Sequence, residues 1–134
     1  MFRPAPTFFL QLAVVAATFV PLRSEAADRF GVVGVDNSTR VTIRLQHRWG
    51  DGQWASETLP PGTHKWYWWE YTTANEDKSP PFHVRFDSDL SPGRFVEKYD
   101  LKKNRAPAHE WHFAHKYTFK YDGNEKFVEL FEDR

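Results

Sequence analysis

Three histidines spaced by three, His109-x-x-His112-x-x-His115, invite a metal reading, because imidazole is the commonest side-chain ligand for a transition metal. A tetrahedral zinc site needs two or three such rings converging within about 2.1 Å of one ion. The residues around them alternate as a strand does, which sends positions three apart to opposite faces, and neither an H-E-x-x-H helix nor a thiolate accompanies them. Packing of His115 on an aromatic face is the favoured reading, and no metal or other cofactor is expected. Asp87, Asp89 and Asp100 could offer oxygens to calcium, but the loop pattern D-x-[DN]-x-[DN]-G is not met, so they read as solvated strand-end charges. Neither G-x-S-x-G nor a phosphate-binding loop occurs, and Glu57, Glu70 and Glu97 are scattered singly. The chain is expected not to be an enzyme, a hydrolase with a site assembled only in space being the distant alternative.

The stronger lead is Trp66-Tyr67-Trp68-Trp69-Glu70-Tyr71. Alternation puts Trp66 and Trp68 on one side and Tyr67, Trp69 and Tyr71 on the other. A tyrosine hydroxyl prefers a wet edge, so Trp66 and Trp68 are expected in the core and Tyr67, Trp69 and Tyr71 on an accessible, ligand-binding face. Such a platform suits sugar rings or a protein surface. Burial on both sides, or rings lying under long polar side chains, is the competing account.

The elements that must position these rings are short and extended. From Arg40 the chain alternates strictly, Val41, Ile43, Leu45, His47 and Trp49 against Arg40, Thr42, Arg44, Gln46 and Arg48, which is a half-buried strand. Gly50-Asp51-Gly52 predicts a tight hairpin bringing Trp49 and Trp54 together, with Gly52 at positive φ. Pro60-Pro61-Gly62 predicts a type II turn with Gly62 in the left-handed position, so Arg40 to Tyr71 reads as a three-stranded antiparallel meander. Phe30 to Asp36 precedes it as a first strand. Asp36-Asn37-Ser38 is a turn, and the Asn37-Ser38-Thr39 sequon within it is read as turn chemistry first and as a glycan acceptor second. Beyond a polar connection from Thr73 to Pro81, strands are expected at Phe82 to Phe86, Arg94 to Leu101, Glu110 to Tyr121 and Phe127 to Phe131. Twelve alternating residues from Glu110 are long for one strand, so a bulge or break is expected near Ala114. Lys102 to His109 is read as a loop.

No segment carries a helical apolar period beyond two turns. The fold class is therefore all-β, a small antiparallel β-sandwich of seven or eight strands. It resembles immunoglobulin-like architecture in strand count alone, since the Cys-Trp-Cys signature is absent; a barrel is the alternative.

With 134 residues there is room for one domain, expected over 27–134. Residues 1–26 read as a secretory signal peptide: Arg3 gives a positive start, Phe8 to Val20 is a 13-residue apolar run, and Ser24-Glu25-Ala26 suits a cut after Ala26. That run is shorter than the roughly 20 residues a membrane crossing needs, so no span is expected once it is removed. A secreted or periplasmic location follows. Losing Arg3, Arg23 and Glu25 leaves a net charge of −1, and a chain so near neutrality is not expected to partner nucleic acid. There is no cysteine, which excludes a thiol enzyme, a zinc-thiolate module and a lipid-anchored lipoprotein. Nineteen aromatic residues beyond position 26 must supply the cohesion that disulfides provide in many exported domains. Taken together, these features describe a secreted, non-catalytic binding or structural module, with a carbohydrate-binding module as the alternative and a protein or polysaccharide surface as the partner.

Overall fold

In a computed structural model, which describes residues 27–73, 78–91 and 93–133, apolar alternation is realised as nine strands in two sheets. The expected signal peptide and residues 74–77 of the connection from Thr73 to Pro81 lie outside the described residues. In chain order the strands are β1 (Phe30–Asn37), β2 (Ile43–Trp49), β3 (Ala55–Leu59), β4 (His64–Glu70), β5 (Phe82–Phe86), β6 (Glu97–Leu101), β7 (Asn104–Ala106), β8 (His115–Tyr121) and β9 (Val128–Glu132). Sheet I runs β4-β1-β8-β9, with β7 also pairing to β1, and sheet II runs β3-β2-β5-β6. All pairings are antiparallel except β1 with β8. The architecture is an all-β sandwich.

The two inner faces supply the core. Ile43 and Leu45 from β2 and Phe82, Val84 and Phe86 from β5 meet Val33 and Val35 from β1 and Phe119 from β8. Phe86 and Phe119 meet edge to face across the gap, with ring centroids 5.0 Å apart. Each such ring, withdrawn from water, contributes roughly 1.5–3 kcal/mol. Val41 packs against the same core while Thr42 and Arg44 are exposed, so the register read from β2 holds.

The meander does not. β2 and β3 form the expected hairpin, but β4 leaves it and pairs with β1 in the opposite sheet. The turn itself is as expected: Gly62 has φ +72° and the Thr63 N–H donates to Pro60 O. What redirects the chain is Asn37 at the end of β1. Its N–H donates to Thr63 O, its carbonyl accepts from Gly62 N–H, and its side-chain amide donates to Leu59 O and Val41 O, each at 2.8 Å. Thr39 returns two bonds to Asn37 Oδ1. Asn37 is fully buried with its amide nitrogen committed, so the sequon serves as turn chemistry in the folded chain.

Three further expectations change. Gly50 carries the positive φ of the first hairpin (+57°), whereas Gly52 lies outside the left-handed region. Trp49 and Trp54 part company, because Trp49 has the inward parity of β2 while Trp54 reaches the outer face. Trp49 packs on Phe82 at 4.7 Å, and Trp54 lies against Arg48 and Arg85. The segment from Lys102 to His109 contains β7, whose three residues pair with Phe30, Gly31 and Val32. The break near Ala114 is present as a 3-10 turn over Trp111–Phe113, which ends one long aromatic run and lets β8 start at His115.

Candidate functional site

The aromatic strand β4 is an edge of sheet I, and its two sides face different surroundings. Odd residues point inward. Tyr67 is 9% exposed and Tyr71 3%, while Trp69 packs on Trp49 with centroids 5.7 Å apart. Even residues point outward, and Trp68 is 42% exposed. The expected accessible set Tyr67, Trp69 and Tyr71 is thus the inward-facing one, and the expected core pair Trp66 and Trp68 is outward. The physical reason is that the Tyr67 hydroxyl finds a partner inside the sandwich, which removes the argument that this tyrosine must sit at a wet edge.

Tyr67 donates its O–H to Glu57 Oε1 at 2.9 Å, Lys65 Nζ donates to Oε2 at 2.7 Å, and His47 Nε2 lies 3.1 Å from Oε1. Glu57 comes from β3, so this cluster ties the open edge of sheet II to that of sheet I. Burial alone would raise the Glu57 pKa, but the hydrogen bonds from Lys65 and Tyr67 outweigh it and hold the carboxyl below its ordinary value. Burial lowers His47 against the opposing pull of Glu57, so the ring is neutral and donates its Nε2–H. Burial, and then the Glu57 charge, push the Tyr67 hydroxyl well up. An ionised carboxylate with three donors has most of its acceptor capacity engaged. Its chemistry is that of a tie between sheets.

The outward side of β4 is partly roofed by residues 104–114. Val32, Ala106 and Ala114 form a small second core there, with Phe30, Trp66 and Phe113 packed against it. The roof sits close because β1 offers Gly34, whose added Cβ would fall 2.4 Å from the Trp111 ring. Trp111 stacks on His64 with centroids 3.9 Å apart and planes 15° from parallel, and Lys116 Nζ lies 5.1 Å from its centroid. His109 stacks on Trp68 at 4.0 Å and 14°, anchored by the Trp66 Nε1–H donating to its carbonyl. The result is a tract of rings running along β4, in which Trp68 is an exposed indole. A cleft of about 460 Å³ wraps the edge of β4 from this tract to Glu57 and His47.

The backbone of that edge is also open. Tyr71 N–H bonds Arg29 O and Asn37 N–H bonds Thr63 O, so by antiparallel alternation the odd residues of β4 address β1. His64, Trp66, Trp68 and Glu70 therefore turn their N–H and C=O groups away from the sheet, and among the described residues no backbone partner meets them.

The three histidines do not converge. His109 stacks on Trp68, His112 sits 3.4 Å from Glu110, and His115 lies between Glu132 (2.6 Å) and Asn104 (3.2 Å). Among the described residues no group of three or more His, Cys, Asp or Glu side chains could hold one metal ion. The aspartates are likewise dispersed: Asp87 accepts from the N–H groups of Arg94 and Val96, Asp89 from Ser91 and Arg94, and Asp100 pairs with His83. Sequence reasoning passed over Glu57 as a tie. The available signal was a carboxylate at the inward parity of β3, two residues from Leu59, with His47 at the inward parity of its partner strand. Comparison with protein families, with characterised proteins and with solved structures finds no match for this chain.

Proposed function

We propose that this chain is an exported, non-catalytic binding module that engages a polysaccharide surface through the outward aromatic tract of β4. The observation that carries this reading is the Trp68 indole, which is 42% exposed even with His109 stacked on it. An indole kept in water contributes little to folding, and its electron-rich face suits the C–H face of a pyranose ring. The neighbouring cleft adds polar groups that a sugar's hydroxyls can use, with Ser56 at its wall. Export rests on the leader pattern of residues 1–26. The non-catalytic reading is supported by the engagement of Glu57 with Lys65, Tyr67 and His47 and by the separate commitments of the histidines. Among the described residues no helix is long and apolar enough to cross a membrane.

Cellulose and chitin, whose β-linked rings form flat neutral ribbons, are the probes. Retention of the purified protein on either, lost in Trp68→Ala without loss of folded structure, supports the reading; no retention on either refutes it. A protein partner is the second reading, favoured by the unpaired N–H and C=O groups along β4, which are a template for an added strand. Protection of the His64, Trp66, Trp68 and Glu70 amides from hydrogen exchange by a peptide partner is its distinguishing result.

A further inference from the structure

The outer face of sheet II is charged with one sign. Outward parity places Arg44, Gln46 and Arg48 on β2, His83 and Arg85 on β5, and Lys98 and Asp100 on β6. Four permanent cations therefore share the face with a single carboxylate, and that carboxylate, Asp100, is paired to His83. None of Arg44, Arg48, Arg85 or Lys98 forms an ion pair among the described residues. The whole chain carries no net charge, so this is segregation and not a general basic character.

The register makes the segregation costly. Arg85 stands directly opposite Lys98, a like-charge cross-strand pair that opposes sheet formation. Its other neighbour is Gln46, where a glutamate would have neutralised it; Arg85 Nε donates to Gln46 Oε1 at 2.8 Å instead. The guanidiniums of Arg85 and Arg48 lie 4.0 and 4.3 Å from the Trp54 ring centroid, which holds both against the sheet. Arg48 Nε is buried there with no hydrogen-bond partner, an orphan donor of the kind that costs stability. Arg44 is exposed at the wall of a depression of about 600 Å³, beside the hydroxyls of Thr42, Thr58 and Ser91. Asp87 lines the far side, with its oxygens occupied by backbone N–H groups.

We infer that this face is a second binding surface, distinct from the β4 tract and independent of the polysaccharide reading given above, and that its ligand is an acidic polysaccharide. Charge complementarity selects a polyanion. Arginine favours carboxylate and sulfate oxygens because its planar fork can donate two parallel bonds. The hydroxyls of Thr42, Thr58 and Ser91 line the depression beside Arg44, as a sugar backbone with its own hydroxyls requires. A single-stranded nucleic acid needs free ring faces on which bases stack, and the Trp54 ring on this face is engaged by two guanidiniums.

The test is binding of the purified protein to alginate, a polyuronate, with single-stranded DNA of matched length and neutral cellulose as comparators, in rising sodium chloride. Alginate binds, and its affinity falls on the order of 10- to 100-fold between 50 and 200 mM salt, as displacement of a few counterions demands. The double variant Arg44→Gln, Lys98→Gln removes two exposed charges that have no ion-pair partner to lose, and one of them repels Arg85, so it melts no lower than the wild type while roughly halving the dependence of log affinity on log salt. Its retention on cellulose, where the wild type shows any, is unchanged. Failure of the β4 reading leaves alginate binding intact, so the two proposals fall separately. No alginate binding at 10 mM salt, an unaltered salt dependence in the double variant, or tighter binding to single-stranded DNA than to alginate each overturns the inference.

Discussion

The two sides of β4 use nearly the same residues to opposite ends. Inward, Tyr67 and Tyr71 are buried, Tyr67 in the core shared with sheet II, and the Tyr67 hydroxyl completes the Glu57 tie. Outward, Trp68 stacks under His109, Trp66 lies at a tilt beside Trp111, and Trp68 keeps much of its surface in water. The difference lies in what stands over each side. A whole sheet covers one, and a short roof seated on Gly34 covers part of the other. Aromatic identity alone does not assign a ring to core or to surface; the second layer does.

The comparison breaks most visibly at Tyr67. Tyr67→Ala removes a buried ring and one of three donors to Glu57, and should cost about 3–5 kcal/mol in chemical denaturation. Trp68→Ala, on the other side of the same strand, should stay within roughly 1 kcal/mol. Equal losses from the two would show that the roof is as structural as the sheet. Gly34→Ala addresses the roof itself. The new methyl must displace Trp111, at a cost of about 1–3 kcal/mol, and the displacement should appear as a change in near-ultraviolet circular dichroism while the inner core is retained.

A smaller effect sharpens the inward side through pH. His47 is held below its ordinary value of 6.5, so the unfolded chain binds the proton more readily than the folded one. Stability on this account is full above 6.5 and is lost as pH falls from there toward the folded value. Glu57, also lowered, adds a further loss as pH falls below its ordinary 4.5. Melting temperatures between pH 7 and 5 should decline in the wild type and decline less in His47→Gln, which keeps an N–H donor near Glu57 without a titrating ring. A decline of the same size in that variant would locate the proton elsewhere. Trp69→Ala refines the contrast between the two sides: its ring is inward but only half-buried, and a loss intermediate between those of Trp68→Ala and Tyr67→Ala is expected.

Much of the sandwich was legible because period-two alternation is a local property. Val41, Ile43 and Leu45 faced the core as their spacing required, and Phe82, Val84 and Phe86 did the same. Partner choice was not legible, since β4 joins β1 through bonds from Asn37 that no neighbouring residue announces. Three residues of β7 are too few for alternation to show, although they build the floor of the roof over β1. The candidate surface was legible as a strand and mistaken in its sides: the hydroxyl argument is sound for a tyrosine without a partner, and Glu57 is that partner. The cations of sheet II were likewise visible as the polar set of β2, but Arg85 stands beside them only after β5 has docked.

The parallel pairing of β1 with β8 has a consequence in time. β1 is the first strand to be made, yet it occupies the middle of sheet I, and its second neighbour arrives near the end of the chain; the bond from Ser38 to the carbonyl of Phe119 spans 81 positions. Contacts so distant in sequence make folding slow and late, because the intervening loop must close before they repay it. A partly synthesised chain holds Val32, Val33 and Val35 in an unfinished sheet with one ladder open, a form liable to pair with its neighbours. Under the export proposed above the delay is useful: sheet I stays incomplete until β8 has been delivered, so the sandwich cannot close while most of the chain is still a thread.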